Sequence, residues 1–157
     1  MTRLRGRAPK GKRVYDTAPH GHWCTTTMIS SIRHDGTTAC MTIEGPTTGD
    51  VFREYVRHIL EPTLRPGDIV ILDNLSSHKH ADILTLIEKS GATVKFLPAY
   101  SPDLNPIEKM WSKIKELLRA AKARTREALE KAIAKALNKI SAMDAAGWFQ
   151  SCGYTIT

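Results

Sequence analysis

A short apolar run, followed by a helix and a second strand, constrains the fold of this chain more than any other feature. Residues 69–72 (Ile-Val-Ile-Leu) form a continuous apolar stretch, and Asp73 follows them directly. Such a run is typical of a central strand that is buried on both faces. Helical spacing over 79–89 and a β-branched stretch at 93–97 complete a β-α-β unit, which is expected to be parallel and right-handed.

A β-hairpin and a helix are predicted before this unit. Residues 22–33 and 38–44 are rich in threonine and other β-branched residues, and an Asp-Gly pair at 35–36 lies between them. Such a pair between two strand-like stretches favours a hairpin with a short turn. Apolar residues with helical spacing then follow two candidate N-caps, Thr47 and Thr48, and Pro62 and Pro66-Gly67 end that helix.

Helices are predicted to dominate the chain after the β-α-β unit. A proline-rich loop over 98–106 leads into a long amphipathic helix that begins near Pro106. Thr125 is a candidate N-cap for another helix, and the residues from Ala142 onward form a short helix or a tail. The predicted order is ββαβαβαα, a mixed α/β domain over 1–157, and this length suits one hydrophobic core.

The charge of the chain raises the expectation of a polyanionic partner. Lys and Arg outnumber Asp and Glu by 23 to 16, which gives a formal net charge of +7. This balance fits a nucleic acid or an anionic membrane, or simply a soluble protein with solvated lysines. Residues 1–13 form a basic arm or loop, which is either a solvated tail or a contact for the DNA backbone. Its cationic residues are Arg3, Arg5, Arg7, Lys10, Lys12 and Arg13.

Several classes of protein do not fit the sequence. The three cysteines match no zinc pattern, and their odd number argues against a disulfide framework, so a reducing, cytoplasmic compartment is expected. No apolar run approaches the roughly 18 residues that a membrane span requires. No apolar segment of a signal peptide follows the basic start. A membrane-surface protein is also the least expected class, since no amphipathic helix with a Trp/Lys polar boundary stands out from the core helices.

Two acidic residues, Asp73 and Glu108, are candidates for chemistry, and each also has a structural explanation. Asp73 ends the apolar strand, at the edge where open α/β sheets bind ligands, but an Asx turn or an N-cap would also explain it. Glu108 is the last residue of an Asn-Pro-Ile-Glu string. That string predicts a capping box with Asn105 at N-cap and Pro106 at N1. A carboxylate at N3 is also well held for binding a metal.

The combination of the two carboxylates favours the functional interpretation. There are 34 residues between Asp73 and Glu108, and a parallel β-α-β unit would bring both to the same edge of the sheet. Two hard oxygen ligands suit Mg²⁺ or Mn²⁺ rather than zinc. A third carboxylate from a neighbouring strand would allow two ions roughly 3.5–4 Å apart, which suits in-line phosphoryl transfer.

Other polar and aromatic residues lie close to these two in the sequence. Asn74 follows Asp73, and His78 is expected at the start of the next helix, where it either orients a phosphate or is a surface residue. Tyr100 lies in the loop before Glu108, where turn chemistry explains it. Trp111 is one turn past Glu108 and is predicted to pack in the core.

Two strings carry a resemblance to a known family. ILDNLSSH (71–78) and FLPAYSPDLNPIEKMW (96–111) resemble the insertion-sequence branch of the mariner-like transposases, which have a DDE endonuclease domain. The resemblance implies a ribonuclease-H-like fold, a mixed sheet flanked by helices. It implies that Asp73 and Glu108 are the second and third acidic ligands of the triad, with Asn74 and His78 beside the site.

The resemblance also implies cofactors, partners and a location. Two Mg²⁺ or Mn²⁺ ions are expected in an intact site, with DNA cleavage and strand transfer as the activity. The expected partners are the transposon ends, the target DNA and, by analogy, a second copy in a homodimer. A cytoplasmic, nucleoid-associated protein follows.

The chain departs from the family at its front. The first acidic ligand of the family lies on the first strand, just upstream of a basic segment like 3–13, and the strand is expected to be missing here. Asp16, Asp35 and Asp50 do not follow an apolar strand, and no N-terminal helix-turn-helix region is seen. Two explanations are expected: a decayed or mis-started element that gives an inert fragment, or an upstream reading frame that supplies the missing part. The isolated chain is expected to cleave DNA poorly; the alternatives are a non-catalytic DNA-binding remnant and a different ribonuclease-H-like nuclease.

Overall fold

The computed structural model describes residues 6–15 and 25–155. In chain order, its elements are two strands, a helix with a distorted end, a strand-helix-strand unit and three helices. This order confirms the predicted mixed α/β class, and the last element is a helix where a short helix or a tail was expected. Residues 22–24, predicted at the start of the first strand, lie outside the described ranges.

The first two strands form the predicted antiparallel hairpin, β1 (Thr26–Ile32) and β2 (Thr38–Glu44). The turn between them depends on Asp35, whose Oδ1 accepts a hydrogen bond from the Thr37 N–H at 2.8 Å. Gly36 has a φ of +87°, a left-handed conformation that glycine adopts at little cost. The Asp-Gly pair therefore fixes the register of the hairpin.

Helix α1 (Gly49–Tyr55) packs on the hairpin and on the unit that follows. Of the two candidate N-caps, Thr48 caps it, because its Oγ1 accepts a hydrogen bond from the Val51 N–H at 3.3 Å. The chain then widens into a π-helical turn (Val56–Leu60) and ends in a 3-10 turn (Glu61–Thr63) that contains the expected proline.

The strand-helix-strand unit consists of β3 (Ile69–Leu72), α2 (Ala81–Lys89) and β4 (Thr93–Phe96), with the two strands parallel as predicted. The expectation that β3 is buried on both faces is wrong for the described residues, since Ile69 is 57% exposed. The reason is that β4 is the only strand paired with it there. Helix α2 covers one face, where it contributes Ile83 to the core.

Three helices complete the described chain: α3 (Pro106–Ala121), α4 (Arg126–Leu137) and α5 (Ala142–Ser151). Thr125 caps α4 as predicted, and its Oγ1 accepts from the Ala128 N–H at 3.1 Å. None of the helices in the described ranges is both long and apolar enough to cross a bilayer. Helices α3 and α4 enclose a second core, whose buried members are Met110, Ile114, Leu118, Ile133 and Ala136.

Strand β1 lies between the two cores. Ile29 packs against the first core, which is formed by α1 and α2, whereas Met28 and Ile32 pack against the second. Both faces of the hairpin strand are therefore covered. Within the described residues, however, the hairpin and the β3-β4 pair are two separate ladders, so β1 and β3 each have one edge without a strand partner.

An ion pair joins the two ladders. The guanidinium of Arg33, just after β1, donates two hydrogen bonds of 2.7 Å to the carboxylate of Asp68, just before β3. The Arg33 hydrogen bond is the main cause that lowers the pKa of Asp68. Since the end of β1 is tied to the start of β3, the carboxyl end of β3 lies at the opposite end from the hairpin turn.

Candidate active site

Asp73 is presented directly by strand β3. It is the first residue after the strand, and its Oδ1 accepts a hydrogen bond from the Leu75 N–H at 3.3 Å. This hydrogen bond forms an Asx turn, which is one of the two structural explanations that the sequence offered for Asp73. Within the described residues only Oδ1 has partners, so Oδ2 faces no competing hydrogen bond.

His78 lies between Asp73 and Phe52. Its Nδ1 lies 2.6 Å from Oδ1 of Asp73, and its side chain is only 15% exposed. The ring of Phe52, on α1, lies 4.1 Å from the imidazole, centroid to centroid. The Nδ1 contact is close but is not aligned as a hydrogen bond, since this buried nitrogen has no partner with suitable geometry. The two atoms are therefore in close contact without a hydrogen bond between them.

The position of His78 differs from the sequence expectation. It ends a 3-10 turn (Ser76–His78), and α2 begins only at Ala81, so His78 does not lie at the start of that helix. The tight turn points the imidazole back toward the strand end. Asn74, the other predicted neighbour, is exposed, and no hydrogen bond of its side chain occurs among the described residues.

Glu108 lies at N3 of α3, as predicted, but the predicted capping box is wrong. Asn105 caps the helix through Oδ1, which accepts from the Ile107 N–H at 3.4 Å. The backbone N–H of Asn105 donates instead to the Pro102 carbonyl at 3.1 Å, so it is not available to the carboxylate. Glu108 is exposed, and its carboxylate has no hydrogen bond or ion pair within the described ranges.

The loop between β4 and α3 is fixed at both ends. The Leu97 N–H donates to the Leu72 carbonyl at 2.8 Å, which sets the loop beside the end of β3. Near α3, the hydroxyl of Tyr154 donates to the Leu104 carbonyl at 2.9 Å. Trp111 packs against the second core, in agreement with the prediction. The loop that precedes Glu108 is thus anchored at the same sheet edge as Asp73.

Two positioning residues were not predictable from the sequence. Phe52 follows a helical pattern that predicts only burial, and nothing local indicates its contact with His78. Tyr154 lies in a segment expected to be a short helix or a tail. Both contacts join residues that are far apart in the chain, so only the fold shows them.

The donor set partly fits a divalent ion. Oδ2 of Asp73 and the carboxylate of Glu108 are hard oxygen donors of the kind that Mg²⁺ and Mn²⁺ prefer, and Mg²⁺ is commonly held by one or two carboxylates with water. Among residues 6–15 and 25–155, however, no group of three or more His, Cys, Asp or Glu side chains is arranged to hold a metal. The described residues therefore supply two candidate ligands of a larger set.

The other aspartates considered for the first ligand are engaged elsewhere, where the structure describes them. Asp35 holds the hairpin turn, and the Thr37 hydrogen bonds lower its pKa. Asp50 lies in the first turn of α1 and forms an ion pair of 2.6 Å with Arg53. Asp16 lies outside the described residues.

The basic segment is described from residue 6 to residue 15. It folds back on itself, because the Lys12 N–H donates to the Pro9 carbonyl at 3.0 Å and Val14 packs close to Gly6. Its four described cations are exposed: Arg7, Lys10, Lys12 and Arg13. Arg3 and Arg5 lie outside the described residues.

Comparison with known families assigns the chain to a family. A family model described as DDE superfamily endonuclease matches residues 1–130. The chain therefore belongs to the DDE superfamily endonucleases, and its α/β architecture is consistent with the ribonuclease-H-like fold expected for such a domain. No curated protein matches the chain. The family supports DNA cleavage of the transposase type as the general activity.

Proposed function

We propose that this chain is the catalytic part of a mariner-like insertion-sequence transposase that cleaves DNA and transfers strands. One observation carries the proposal. In this DDE superfamily endonuclease, Asp73 follows strand β3 directly, and its Oδ1 lies 2.6 Å from Nδ1 of His78. Glu108 lies in the first turn of α3, and its carboxylate has no hydrogen bond or ion pair within the described residues. Both carboxylates are free to face a shared ligand.

Each residue of the candidate site has a proposed role in metal binding, in positioning or in phosphate binding. Asp73 and Glu108 would hold Mg²⁺ or Mn²⁺, with two ions in the complete site. When bound, such ions activate a water or a 3′-hydroxyl and stabilise the leaving oxygen of phosphoryl transfer. His78 and the Leu75 N–H restrict the rotation of Asp73, so that Oδ2 keeps its direction. Asn74 is exposed beside them and can donate to a phosphate oxygen.

The basic segment would hold the DNA backbone. Its exposed cations can neutralise phosphates, which releases counterions and makes binding depend strongly on salt. We assign this role to the described residues and to Arg3 and Arg5 with them. A homodimer on paired transposon ends, in a cytoplasmic, nucleoid-associated setting, completes the proposal.

A third carboxylate would arrive with a further strand. In the part of the chain that the structure describes, β1 and β3 each have an edge without a strand partner. Both strands pack on the first core, and the Arg33–Asp68 ion pair links their ends. A strand that pairs with both edges would therefore join the two ladders. A parallel neighbour of β3 would end at the same edge as Asp73. The nucleotide sequence before the Met1 codon, read in three frames, tests this idea: a short apolar strand that ends in Asp is expected, and a stop codon in every frame would contradict it.

Manganese binding tests the two carboxylates. Titration of the 157-residue chain with Mn²⁺, followed by calorimetry, should show binding that Glu108→Gln weakens about tenfold or more, because fewer charged ligands remain. Glu116→Gln is the matched control: it makes the same change at an exposed position on the same helix. Equal affinity in Glu108→Gln and Glu116→Gln would contradict the proposed site.

A non-catalytic DNA-binding remnant is the second candidate function. It is favoured by the absence of a three-residue metal cluster in the described parts of the chain and by the exposed cations of the basic segment. Both functions predict salt-sensitive DNA binding. Only the enzyme predicts Mn²⁺ binding that depends on Glu108, so the same titration separates them.

A further inference from the structure

Tyr100 has a backbone conformation that is costly for its residue type. Its φ is +59°, in the left-handed region that glycine adopts freely and that bulky residues rarely adopt. The other non-glycine residue of this kind in the described ranges, Lys122, has an ordinary explanation. It is the C-cap of α3, where left-handed residues commonly end helices. Tyr100 has no such role, and strained backbone of this kind tends to occur at functional sites.

Burial does not offset the strain at Tyr100. The residue is fully exposed, at 101% of the reference area, and its hydroxyl has no hydrogen bond within the described residues. Because the Leu97–Leu72 hydrogen bond and the Asn105 cap fix the two ends of the loop, the loop holds this ring out in solvent. The conformation therefore presents the aromatic ring rather than packing it.

Two other large apolar residues are exposed at the same edge of the sheet. Phe96, the last residue of β4, pairs in register with Leu72, and Leu75 follows Asp73 by two residues. We call Leu75, Phe96 and Tyr100 the apolar edge. Exposed apolar residues grouped beside a polar site usually mark a binding surface.

Positive charge accompanies the apolar edge. The ammonium of Lys79 lies 5.9 Å from the ring centre of Phe96. Lys109 is exposed next to Glu108 in the chain, whereas Lys95 precedes Phe96 on β4 and projects from the opposite face of the strand. Aromatic rings with interspersed cations are the usual composition of a surface for unpaired nucleic acid, where bases stack and phosphates pair with lysines.

We propose that Tyr100 stacks on an unpaired DNA base beside the candidate site of Asp73 and Glu108. The inference rests on the proposed function, since it takes DNA as the substrate. Bases inside a duplex do not expose their faces, so the ligand is a frayed, flipped or single-stranded base at a DNA end. A protein partner fits less well, because the lysines would face a polyanion more favourably than an ordinary protein surface.

Two DNA probes of the same sequence test the proposal by fluorescence anisotropy without divalent metal. One is a blunt duplex, and the other carries a three-base overhang. The wild-type chain should prefer the overhang probe. Tyr100→Gly should weaken binding to the overhang about tenfold and change duplex binding less than twofold. Tyr100→Phe keeps the ring and should bind like wild type.

Two controls exclude trivial explanations. Tyr100→Gly suits a left-handed position, so its melting temperature should not fall, and a loss of DNA binding would then not reflect unfolding. Met143→Ala removes another exposed apolar side chain. It lies on α5 close to the hairpin turn, because Gly36 meets Ala142, and so it is at the opposite end of the sheet. Met143→Ala should leave binding to both probes unchanged.

The outcomes are distinct. Equal weakening on both probes, unchanged binding in Tyr100→Gly, or a Tyr100→Phe variant as weak as Tyr100→Gly would each overturn stacking at Tyr100. A Tyr100-dependent dimer in light scattering, with no effect on DNA, would assign the edge to a protein partner and would also overturn it. A chain that binds neither probe in a salt-sensitive way would instead contradict the proposed function.

Discussion

Nδ1 of His78 lies 2.6 Å from Oδ1 of Asp73, and the imidazole packs against the ring of Phe52, with the two ring centres 4.1 Å apart. A carboxylate that ligates a metal is oriented by the residues behind it, and the loss of such a residue commonly weakens metal binding by about 10–100-fold. The candidate site therefore depends on a core aromatic residue as well as on its acidic residues.

His78→Ala should weaken Mn²⁺ binding about tenfold, because Asp73 then loses its closest neighbour and can rotate away from the shared ligand. Calorimetric titration measures the change. His34→Ala, at an exposed position in the hairpin turn, is the control and should leave the affinity unchanged. Affinity within twofold of wild type in His78→Ala, with binding lost in Asp73→Asn, would show that His78 does not position Asp73.

The sequence predicted the position of Asp73 because local rules were sufficient there. Four consecutive apolar residues define β3, and the strand ends where the polar residue begins. The N-caps Thr48 and Thr125 were among the predicted ones for a similar reason. Each hydroxyl accepts a hydrogen bond from a backbone N–H in the first turn of its own helix. Secondary structure and the residues at its ends therefore followed from the sequence.

Burial and second partners did not follow from local rules. Ile69 has the residue type of a central strand, but its exposure depends on which other strand pairs with β3. The predicted capping box is absent because the Asn105 N–H donates to the Pro102 carbonyl in the 3-10 turn before α3. The carboxylate of Glu108 therefore does not accept that hydrogen bond. The contact between His78 and Phe52 needs the packing of α1 on the β-α-β unit. These features are set by tertiary neighbours.

Asp144 should make folding sensitive to acid. Lys113 Nζ donates to its carboxylate at 2.6 Å, and this bond, with the N–H and hydroxyl of Ser141, lowers the pKa of Asp144 to about 2. A folded pKa below the unfolded value near 3.9 means that the contribution is present above about pH 4 and is lost as the pH falls toward 2. Asp144→Ala should lower the free energy of unfolding by about 1–2 kcal/mol at pH 7, since it removes the N3 carboxylate of the α5 capping box and a part-exposed ion pair.

Urea unfolding from pH 7 to pH 2.5 measures this effect. The difference between wild type and Asp144→Ala should stay constant down to about pH 4 and then narrow. Asp103→Ala, at an exposed position in the loop before α3, should show no such narrowing. A difference that is the same at pH 7 and pH 2.5 would mean that the charge of Asp144 does not stabilise α5.

The basic segment should set the salt dependence of DNA binding. Changing Arg7, Lys10, Lys12 and Arg13 together to Gln should weaken binding to any duplex and make the slope of log K against log salt shallower by up to about 4, roughly 0.9 for each phosphate that a cation no longer neutralises. Anisotropy between 50 and 200 mM salt measures the slope, with Lys131→Gln and Lys135→Gln on α4 as the charge control. An unchanged slope would show that the segment is a solvated loop.

The purified 157-residue chain should nick supercoiled plasmid DNA no faster than background in Mg²⁺. Its described residues offer Asp73 and Glu108 but no group of three metal-binding side chains, and two carboxylates hold a pair of ions loosely. Agarose gel electrophoresis of plasmid incubated with the chain gives the measurement, and the Asp73→Ala variant provides the background rate. Robust nicking that Asp73→Ala abolishes would mean that the chain completes its own site, and that an acidic residue outside the described ranges, such as Asp16, should then be tested as the third ligand.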